Sequence, residues 1–426
     1  MRRLGSGRGE ASAKIWHGIR GALLAVAMVP ATEVLGSENH TIRPPEQVQK
    51  FTPGPRIGNV SFDCKASISG RCRLREFVDY ARVCALLVIE NGRKRLEFYN
   101  DDPTVCDDED GQTNGRHRLY GVASVAKSIT STLVGHAIAT RYGARTREEF
   151  NAVLDRPLQE YVPGLGKGPS STYSGVSLDH VLRMRSGVRW SEYGWHGFFS
   201  DANRFGIDVR DRLTQSIPEF ARRYRQRAAG VPRFNYSALD AAIAGYAAET
   251  MLGHRLVDFM EKGLWSQIGA EAKARWGIDK SGTAIGPCCL KVTVGDLARF
   301  GRLVLDKGRA QGGSQLIPAA WFELATQRSK DDDTIPPKSV SQNRNCPLEY
   351  RYFWWLRQRR RDYTAIGRDG QFVHIYPREH VVIVQISDWK AWTNGDFLEC
   401  ETFKAHDAIA AAAVAKRTEI EKSRSK

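Results

Sequence analysis

Ser124 and Lys127 are the residues whose types and spacing most directly suggest chemistry. They lie three residues apart within YGVASVAKSITSTLVGHAIATRY, residues 120–142, where apolar residues recur at helical spacing. The pattern predicts a well-buried helix that opens after Gly121, with both side chains on one face. A serine at a helix N-terminus with a lysine one turn along can act as nucleophile and base, because the free N–H groups there favour developing negative charge.

The S-x-x-K spacing alone is weak evidence for this chemistry. Ser387 and Ser423 begin two further matches in the same chain. Only the match at Ser124 stands where a buried helix is predicted to begin after a loop, so the context favours it.

Tyr236 is the residue that could complete the proton transfer. An alcohol is a poor nucleophile at neutral pH, and Lys127 can act as its base only if burial and neighbouring positive charge lower the pKa of the amine. Tyr236 lies in PRFNYSALD, at the head of a predicted helix, and could pass the proton to a leaving group. The alternative interpretation is an ordinary core tyrosine.

The N-terminus differs in kind from the rest of this globular chain of 426 residues, 42% of them hydrophobic. Basic residues precede an apolar run, Gly21 to Val29, which predicts a secretory signal peptide over residues 1–36 and a periplasmic or secreted location. An amphipathic tail is the alternative. No other apolar run approaches the length of a membrane span, so no stable membrane insertion is expected.

The cysteines favour disulfide bonds over a metal site, because they lack C-x-x-C spacing and companion histidines. Cys64 with Cys72 is the one pair that local spacing predicts, across a turn containing serine and glycine. The other pairings stay open, and several cysteines could instead be buried thiols. The eight are Cys64, Cys72, Cys84, Cys106, Cys288, Cys289, Cys346 and Cys400.

The net charge of +15 could favour anionic partners, but the basic residues are scattered. Short clusters at 222–227 and 357–361 accompany no nucleic-acid motif and are interpreted as solvated faces. We therefore expect a small-molecule partner, no nucleic acid, no metal and no organic cofactor. The oligomeric state is left open.

The elements that must position the candidate residues run in the order strands, helices, strands. A hairpin over residues 82–99 turns at Asn91-Gly92, and residues 148–286 are mostly helical. Further helices are predicted at 176–184, 239–252, 257–268, 294–308, 318–325 and 397–416, and further strands at 352–356, 371–376 and 381–387.

This order implies one mixed sheet whose N- and C-terminal parts meet, with a helical region inserted between them. The predicted divisions are a signal peptide at 1–36, a linker at 37–56, a sheet domain of 57–147 and 287–416, a helical domain at 148–286, and a basic tail at 417–426.

Six segments between Arg82 and Ile409 follow one another as they do in a known family. The chain resembles the serine β-lactamase-like hydrolases: class C β-lactamases, penicillin-binding DD-peptidases, carboxylesterases and, nearest in motif, 6-aminohexanoate-dimer (nylon oligomer) hydrolases. The segments are SVAKSITSTLVGHAI, LRMRSGVRW at 182–190, FNYS at 234–237, VTVGDLARFGRLVLDKG at 292–308, YRYFWWL at 350–356 and GRDGQ at 367–371.

The resemblance implies an α/β (α+β), β-lactamase/transpeptidase-like fold with a mainly antiparallel sheet, flanking helices and an inserted helical domain. It implies Ser124 as the acylated nucleophile, Lys127 as its base and Tyr236 as the proton relay. The backbone N–H groups of Ser124 and Gln371 would form the oxyanion hole.

Two positions depart from the family pattern. Ala238 stands where the Y-x-N motif has asparagine, and Asn235 is a candidate replacement for that amide. Arg368 stands where the third motif has lysine or histidine, and could lower the pKa of Lys127 and bind a substrate carboxylate. Both departures argue against an efficient β-lactamase.

The residues that could line a substrate pocket include several aromatic ones, for which core packing is the alternative. Glu192, in W-S-E-Y, could meet a substrate ammonium, with a surface glutamate as the alternative. The predicted substrate-binding residues are Arg368, Gly370, Asn235, Trp190, Tyr193 and Trp354.

The sequence thus favours a secreted serine hydrolase that cleaves an amide or ester through an acyl-serine intermediate. The main alternative is a catalytically silent protein of the same fold that binds peptide or cell-wall fragments. A basic surface-binding protein is a third possibility.

Overall fold

A computed structural model describes most of the chain after residue 37. Tyr193, one of the predicted substrate-binding residues, and the predicted signal peptide lie outside the described residues. The described ranges are 38–102, 105–106, 115–165, 172–192, 200–225, 233–327, 346–357, 360–389 and 395–424.

The strands fall into one large sheet and two small ones. They are β1 (Asn39–Ile42), β2 (Thr52–Pro53), β3 (Ser61–Asp63), β4 (Arg71–Arg73), β5 (Val83–Glu90), β6 (Arg93–Tyr99), β7 (Tyr120–Gly121), β8 (Ala274–Gly277), β9 (Leu290–Val292), β10 (Glu349–Arg351), β11 (Trp354–Leu356), β12 (Tyr363–Gly367), β13 (Gln371–Tyr376) and β14 (Val381–Ser387).

The large sheet has the order β10-β11-β12-β13-β14-β5-β6-β2, and all its pairs are antiparallel except β2 with β6. Its centre is the pairing of β14 with β5, in which Val381 lies opposite Glu90. Both strands are continuous buried runs, as expected for strands covered on both faces. The predicted meeting of the N- and C-terminal parts in one mainly antiparallel sheet is confirmed.

The region predicted to be a linker, residues 37–56, instead contributes strands to two sheets. Strand β1 pairs with β8, in a small sheet of order β1-β8-β9-β7, and β2 joins the edge of the large sheet. Backbone pairing can order a polar segment that has no apolar pattern of its own, because strand hydrogen bonds do not depend on the side chains. Strands β3 and β4 form a separate hairpin.

The helices lie mostly between β7 and β10, as predicted. They are α1 (Leu74–Tyr80), α2 (Val125–Tyr142), α3 (Arg147–Leu154), α4 (Leu178–Leu182), α5 (Asp201–Phe205), α6 (Ile217–Ala221), α7 (Ala238–Leu252), α8 (Leu256–Met260), α9 (Val294–Leu305), α10 (Ala319–Thr326) and α11 (Gly395–Arg424). Helix α11 continues through most of the segment predicted to be a basic tail. The domain boundaries at 148 and 286 stay predictions.

Helix α2 lies in the core and packs against α7 and α10. Every residue from Val125 to Ala139 is buried, which confirms the predicted buried helix. At Gly135 a Cβ atom would lie 2.2 Å from the ring of Trp321, so only glycine permits this close approach. Tight packing along its length holds the N-terminal end of α2 in place.

The cysteines form four disulfides, and the predicted pair Cys64–Cys72 is one of them. The others are Cys84–Cys106, Cys288–Cys289 and Cys346–Cys400. Within the described part of the chain, no helix combines the length and apolar character needed to cross a membrane. The same residues contain no group of three or more His, Cys, Asp or Glu side chains that could hold a metal ion.

Candidate active site

Ser124 stands at the N-cap of α2, directly after a sharp turn in the backbone. The helix begins at Val125, a few residues later than the predicted start after Gly121. Ala123 has a φ of 45°, a left-handed conformation that side chains other than glycine rarely adopt. Val122 N donates to Leu290 O at 3.0 Å, so strand β9 holds the turn from the other side. The nucleophile candidate thus follows a strained turn that neighbouring strands stabilise.

Lys127 lies one helical turn along and is buried, with 2% of its surface exposed. Its Nζ donates to Ser124 Oγ at 2.9 Å and to the carbonyl oxygen of Pro287 at 3.2 Å. The same atom lies 4.7 Å from the ring centroid of Tyr236. Burial lowers the pKa of Lys127 to about 8, and the negative charge of Glu192 opposes this shift.

Arg368 does not produce the shift in the pKa of Lys127, contrary to the sequence-based expectation. Its side chain is 74% exposed and forms an ion pair with Asp369 at 3.1 Å. Solvent screens so exposed a charge, whereas burial acts directly on the amine. Tertiary packing around α2, which buries Lys127, therefore lowers its pKa, the effect that the sequence analysis expected from Arg368.

Tyr236 reaches Ser124 from the turn before α7. Its ring stacks on Trp355 with centroids 5.8 Å apart and 20° between the ring planes. Burial and the charge of Glu192 raise the pKa of Tyr236, and its side-chain hydrogen bond with Ser124 opposes the rise. The hydroxyl is therefore protonated at neutral pH.

Asp240 anchors the helix that follows Tyr236, and the sequence analysis missed it. Its Oδ1 accepts hydrogen bonds from Tyr173 Oη at 2.9 Å and Ser186 Oγ at 2.8 Å, and burial raises the pKa of this carboxyl to about 7. The S-x-x-D spacing from Ser237 predicts a helix cap, and Ser237 Oγ does accept from Asp240 N at 3.0 Å. The spacing carries no signal for the long-range contacts.

The third predicted motif forms the tight turn between β12 and β13. Gly367 pairs with Gln371, and Gly370 has a φ of 88° with room for no side chain, since a Cβ atom would lie 2.5 Å from Trp389. Gln371 and Ser124 line one cavity of about 500 Å³. The oxyanion hole formed by their backbone N–H groups stays a prediction.

Glu192 lies in the wall of this cavity rather than on an open surface. Its Oε2 accepts hydrogen bonds from Trp190 Nε1 at 2.6 Å and from Ala238 N at 2.8 Å. The small side chain at Ala238, where the family motif has asparagine, is thus accompanied by a carboxylate. Ala238 was the sequence signal that this position differs from the family motif. That Glu192 is the residue beside it depends on the fold.

Three of the predicted substrate-binding residues are placed in supporting positions. Trp190 is 2% exposed, and Asn235 Nδ2 donates to its backbone oxygen at 3.2 Å, so that amide is engaged within the protein. Trp354 is fully buried and stacks on Phe300. Neighbouring residues of a strand point to opposite faces, and Trp355 therefore faces Tyr236 in its place.

A second cavity, of about 390 Å³, lies on the Tyr236 side of Ser124. Trp355 and Trp389 supply aromatic surface to it, and Arg368 stands at both cavities. Ser124 therefore contributes to the walls of two spaces, as expected if groups on both sides of a scissile bond must be accommodated.

Comparisons with known proteins identify the family and the fold. The Beta-lactamase family model matches residues 73–398. A 6-aminohexanoate-dimer hydrolase from Paenarthrobacter ureafaciens is 26% identical over 321 residues, which are 72% of this chain and 72% of that protein.

Two solved structures share the fold. One from Bacillus anthracis, provisionally described as a 6-aminohexanoate-dimer hydrolase, has a TM-score of 0.68 at 20% identity and covers 91% of this chain and 92% of its own. Another from Bacteroides dorei, provisionally described as a beta-lactamase, has a TM-score of 0.56 at 16% identity and covers 78% and 97%. At these identities the likeness concerns the fold alone.

Proposed function

This chain belongs to the beta-lactamase family of serine hydrolases, and we propose that it cleaves an amide or ester through an acyl-Ser124 intermediate. The observation that carries the proposal is the 2.9 Å contact between Lys127 Nζ and Ser124 Oγ at a buried helix N-terminus. A nucleophile within hydrogen-bond reach of a base with a lowered pKa is the arrangement that acyl transfer requires.

In the acylation step, neutral Lys127 accepts the hydroxyl proton of Ser124 as Oγ forms a bond to the substrate carbonyl carbon. With a pKa of about 8, roughly a tenth of the amine is neutral at pH 7. Tyr236 donates its proton to the leaving nitrogen or oxygen and recovers one from the Lys127 ammonium. The bond to the leaving group breaks, and the acyl group stays on Ser124.

In the deacylation step, a water molecule attacks the ester carbon and gives its proton to neutral Lys127. The carboxylic acid product leaves, and Ser124 Oγ regains its proton. The backbone N–H groups of Ser124 and Gln371 are proposed to stabilise the oxyanion in both steps. Each such donor contributes about 3 kcal/mol to transition-state stabilisation in other enzymes.

An amide or ester without a β-lactam ring is the substrate that we favour. No side-chain amide is present at Ala238, and the backbone N–H of that residue already donates to Glu192. The relative from Paenarthrobacter ureafaciens is named for hydrolysis of a 6-aminohexanoate dimer, so ω-amino amides belong among the compounds to test.

We further propose that the chain acts outside the cytoplasm. The basic and apolar composition of residues 1–36 is typical of a signal peptide. Four disulfides support an oxidising compartment, where such bonds form and persist. Sequencing the N-terminus of the protein recovered from the periplasm or culture medium tests this; an uncleaved cytoplasmic chain would contradict it.

Covalent labelling with a fluorophosphonate probe tests the proposed nucleophile. We expect the folded wild type to be labelled and the Ser124→Ala variant to be unlabelled. Ser423→Ala is the matched control, because Ser423 has the same S-x-x-K spacing but is exposed on α11. Equal labelling of the Ser124→Ala variant, or no labelling of the wild type, would contradict the proposal.

Intact-protein mass spectrometry of the acyl-enzyme identifies the substrate class. The wild type is incubated with β-lactams, short esters and ω-amino amides in parallel. We expect ester or amide acyl groups on Ser124 and little adduct from β-lactams. Stable binding of peptide or cell-wall fragments with no turnover in any series would favour the catalytically silent alternative.

A further inference from the structure

Two cysteines adjacent in the chain, Cys288 and Cys289, are joined by a disulfide and line the cavity beside Ser124. Pro287 directly precedes them and accepts a hydrogen bond from Lys127 Nζ at 3.2 Å. We infer that the Cys288–Cys289 disulfide positions Lys127, through the carbonyl group of Pro287, for proton transfer from Ser124. The inference rests on the proposed function, in which Lys127 is the base.

The Pro287 carbonyl determines where the lone pair of Lys127 points. A neutral amine has two N–H donors and one lone pair. When one N–H donates to Pro287 O, the amine can turn its lone pair toward Ser124 Oγ, which is 2.9 Å away. Among the described residues, these two oxygens are the hydrogen-bond partners of Nζ. A displaced carbonyl would therefore leave the amine free to rotate away from the serine.

The disulfide limits how the Pro287 carbonyl can move. Adjacent cysteines close an eight-membered ring that contains the peptide bond between them, which restricts the backbone torsions of both residues. Cys289 has a φ of 67°, a conformation that residues other than glycine rarely adopt. Breaking the ring would allow Cys289 to leave this conformation. Cys288 would then shift, and with it the carbonyl group of Pro287 to which its nitrogen is bonded.

The rest of the segment is fixed on both sides of the ring. Trp276 Nε1 donates to Cys288 O at 3.1 Å, and Gly277 N donates to Cys289 O at 2.8 Å. One residue further on, Leu290 O accepts from Val122 N at 3.0 Å in the turn that precedes Ser124. Residues 287–290 therefore contact the base on one side and the nucleophile turn on the other, so a local change there acts on their relative position.

A Cys288→Ser/Cys289→Ser double variant tests the inference. We expect kcat/KM for an ester substrate to fall about 10- to 100-fold, as for a small misplacement of a catalytic group. Glu192 and Tyr236 are the titratable groups that face Lys127, and neither is altered. Water that reaches a loosened amine reverses the effect of burial, so the acid limb of the pH profile should move to higher pH. A purely structural loss would lower the folded fraction without moving that limb.

Reduction of the wild type is the second arm, and it needs no substitution. A dithiol such as dithiothreitol breaks the S–S bond, the two sulfurs become thiols by taking two electrons and two protons, and the reagent becomes a cyclic disulfide. We expect the reduced wild type to show the same fall in kcat/KM and the same move of the acid limb to higher pH as the double variant. Removal of the reagent under air should reverse both changes. The double variant should not respond to the reagent.

The Cys64→Ser/Cys72→Ser variant is the matched control, since that disulfide lines neither cavity beside Ser124. It should keep the wild-type kcat and pH profile. An equal response of the Cys288/Cys289 variant to dithiothreitol, or an unchanged rate and pH profile in that variant, would overturn the inference. If Ser124→Ala kept full turnover, the proposed function itself would fail. This result distinguishes a failure of the proposed function from a failure of the inference about the disulfide.

Discussion

Two of the regions that bury titratable groups with lowered pKa values differ, because only one of them has the geometry for chemistry. The first contains Lys127, beside Ser124. The second, here the histidine cluster, consists of His374 and His406 with Gln385, Tyr376 and Asp407. Burial lowers the pKa of Lys127 to about 8 and the pKa values of both histidines well below their ordinary range.

The two histidines of this cluster are sealed within the core. His374 Nδ1 and His406 Nδ1 lie 3.2 Å apart, and His406 Nε2 lies 3.0 Å from Gln385 Oε1. Both histidines are fully buried, and neither lines the two cavities beside Ser124. Lys127, by contrast, meets a hydroxyl at the wall of a cavity. A lowered pKa thus indicates a functional site only when the group can reach a substrate.

Removal of the amine should produce the largest effect on activity. We expect Lys127→Ala to lower kcat/KM for an ester substrate about a thousandfold, because the base that activates Ser124 is lost. The midpoint of thermal unfolding should stay near the wild-type value, since the substitution removes a buried amine that is costly to charge. Steady-state kinetics and calorimetry measure the two; a rate within tenfold of the wild type would remove the distinction between the regions.

In contrast to Lys127→Ala, His406→Ala should lower the stability of the fold and leave the rate unchanged. The substitution leaves a cavity and removes the hydrogen-bond partner of Gln385 Oε1, so the free energy of unfolding should fall by about 3 kcal/mol. The kcat per folded molecule should be unchanged, because the cluster lies outside the proposed mechanism. Denaturant titration combined with active-site counting checks both; a large loss of kcat at full folding would give the cluster a catalytic role.

The pH profile of the wild type should report Lys127 and not the histidines. Because the neutral amine is the reactive form, kcat/KM should rise with pH through a midpoint near 8. Glu192 raises the pKa of Lys127, so Glu192→Gln should move the midpoint to lower pH while the amide oxygen can still accept from Ala238 N. A midpoint that stays in place, or moves to higher pH, would show that Glu192 does not act on the base.

Arg368→Ala should have the smallest effect. The side chain is largely exposed, so losing it should raise KM about fivefold for a substrate that carries a carboxylate and leave kcat nearly unchanged. A substrate without a carboxylate is the control, and its KM should not change. A large fall in kcat with both substrates would instead place Arg368 at the reacting atoms.

Local sequence patterns were sufficient for the central strands, for the buried helix and for the central pair of residues, but not for the strands of residues 37–56. The buried run of 381–387 and the turn at Asn91-Gly92 predicted the strands that form the middle of the sheet, since side-chain period and turn chemistry act over a few residues. The spacing of Ser124 and Lys127 placed both on one face of α2 for the same reason. Tyr236 and the turn at 367–371 came from the resemblance to known hydrolases.

The tertiary structure decided what surrounds that pair. Pro287 contacts Lys127 although 160 positions separate them in the sequence, and Glu192 contacts Ala238 across 46 positions. The side-chain periodicity of a helix or strand does not predict contacts at such sequence separations. Which tryptophan faces Tyr236 depended on the register of β11, because a shift of one residue reverses the two faces of a strand. The sequence by itself therefore determined which side chains could react, whereas packing determined the burial and partners that set the pKa of Lys127.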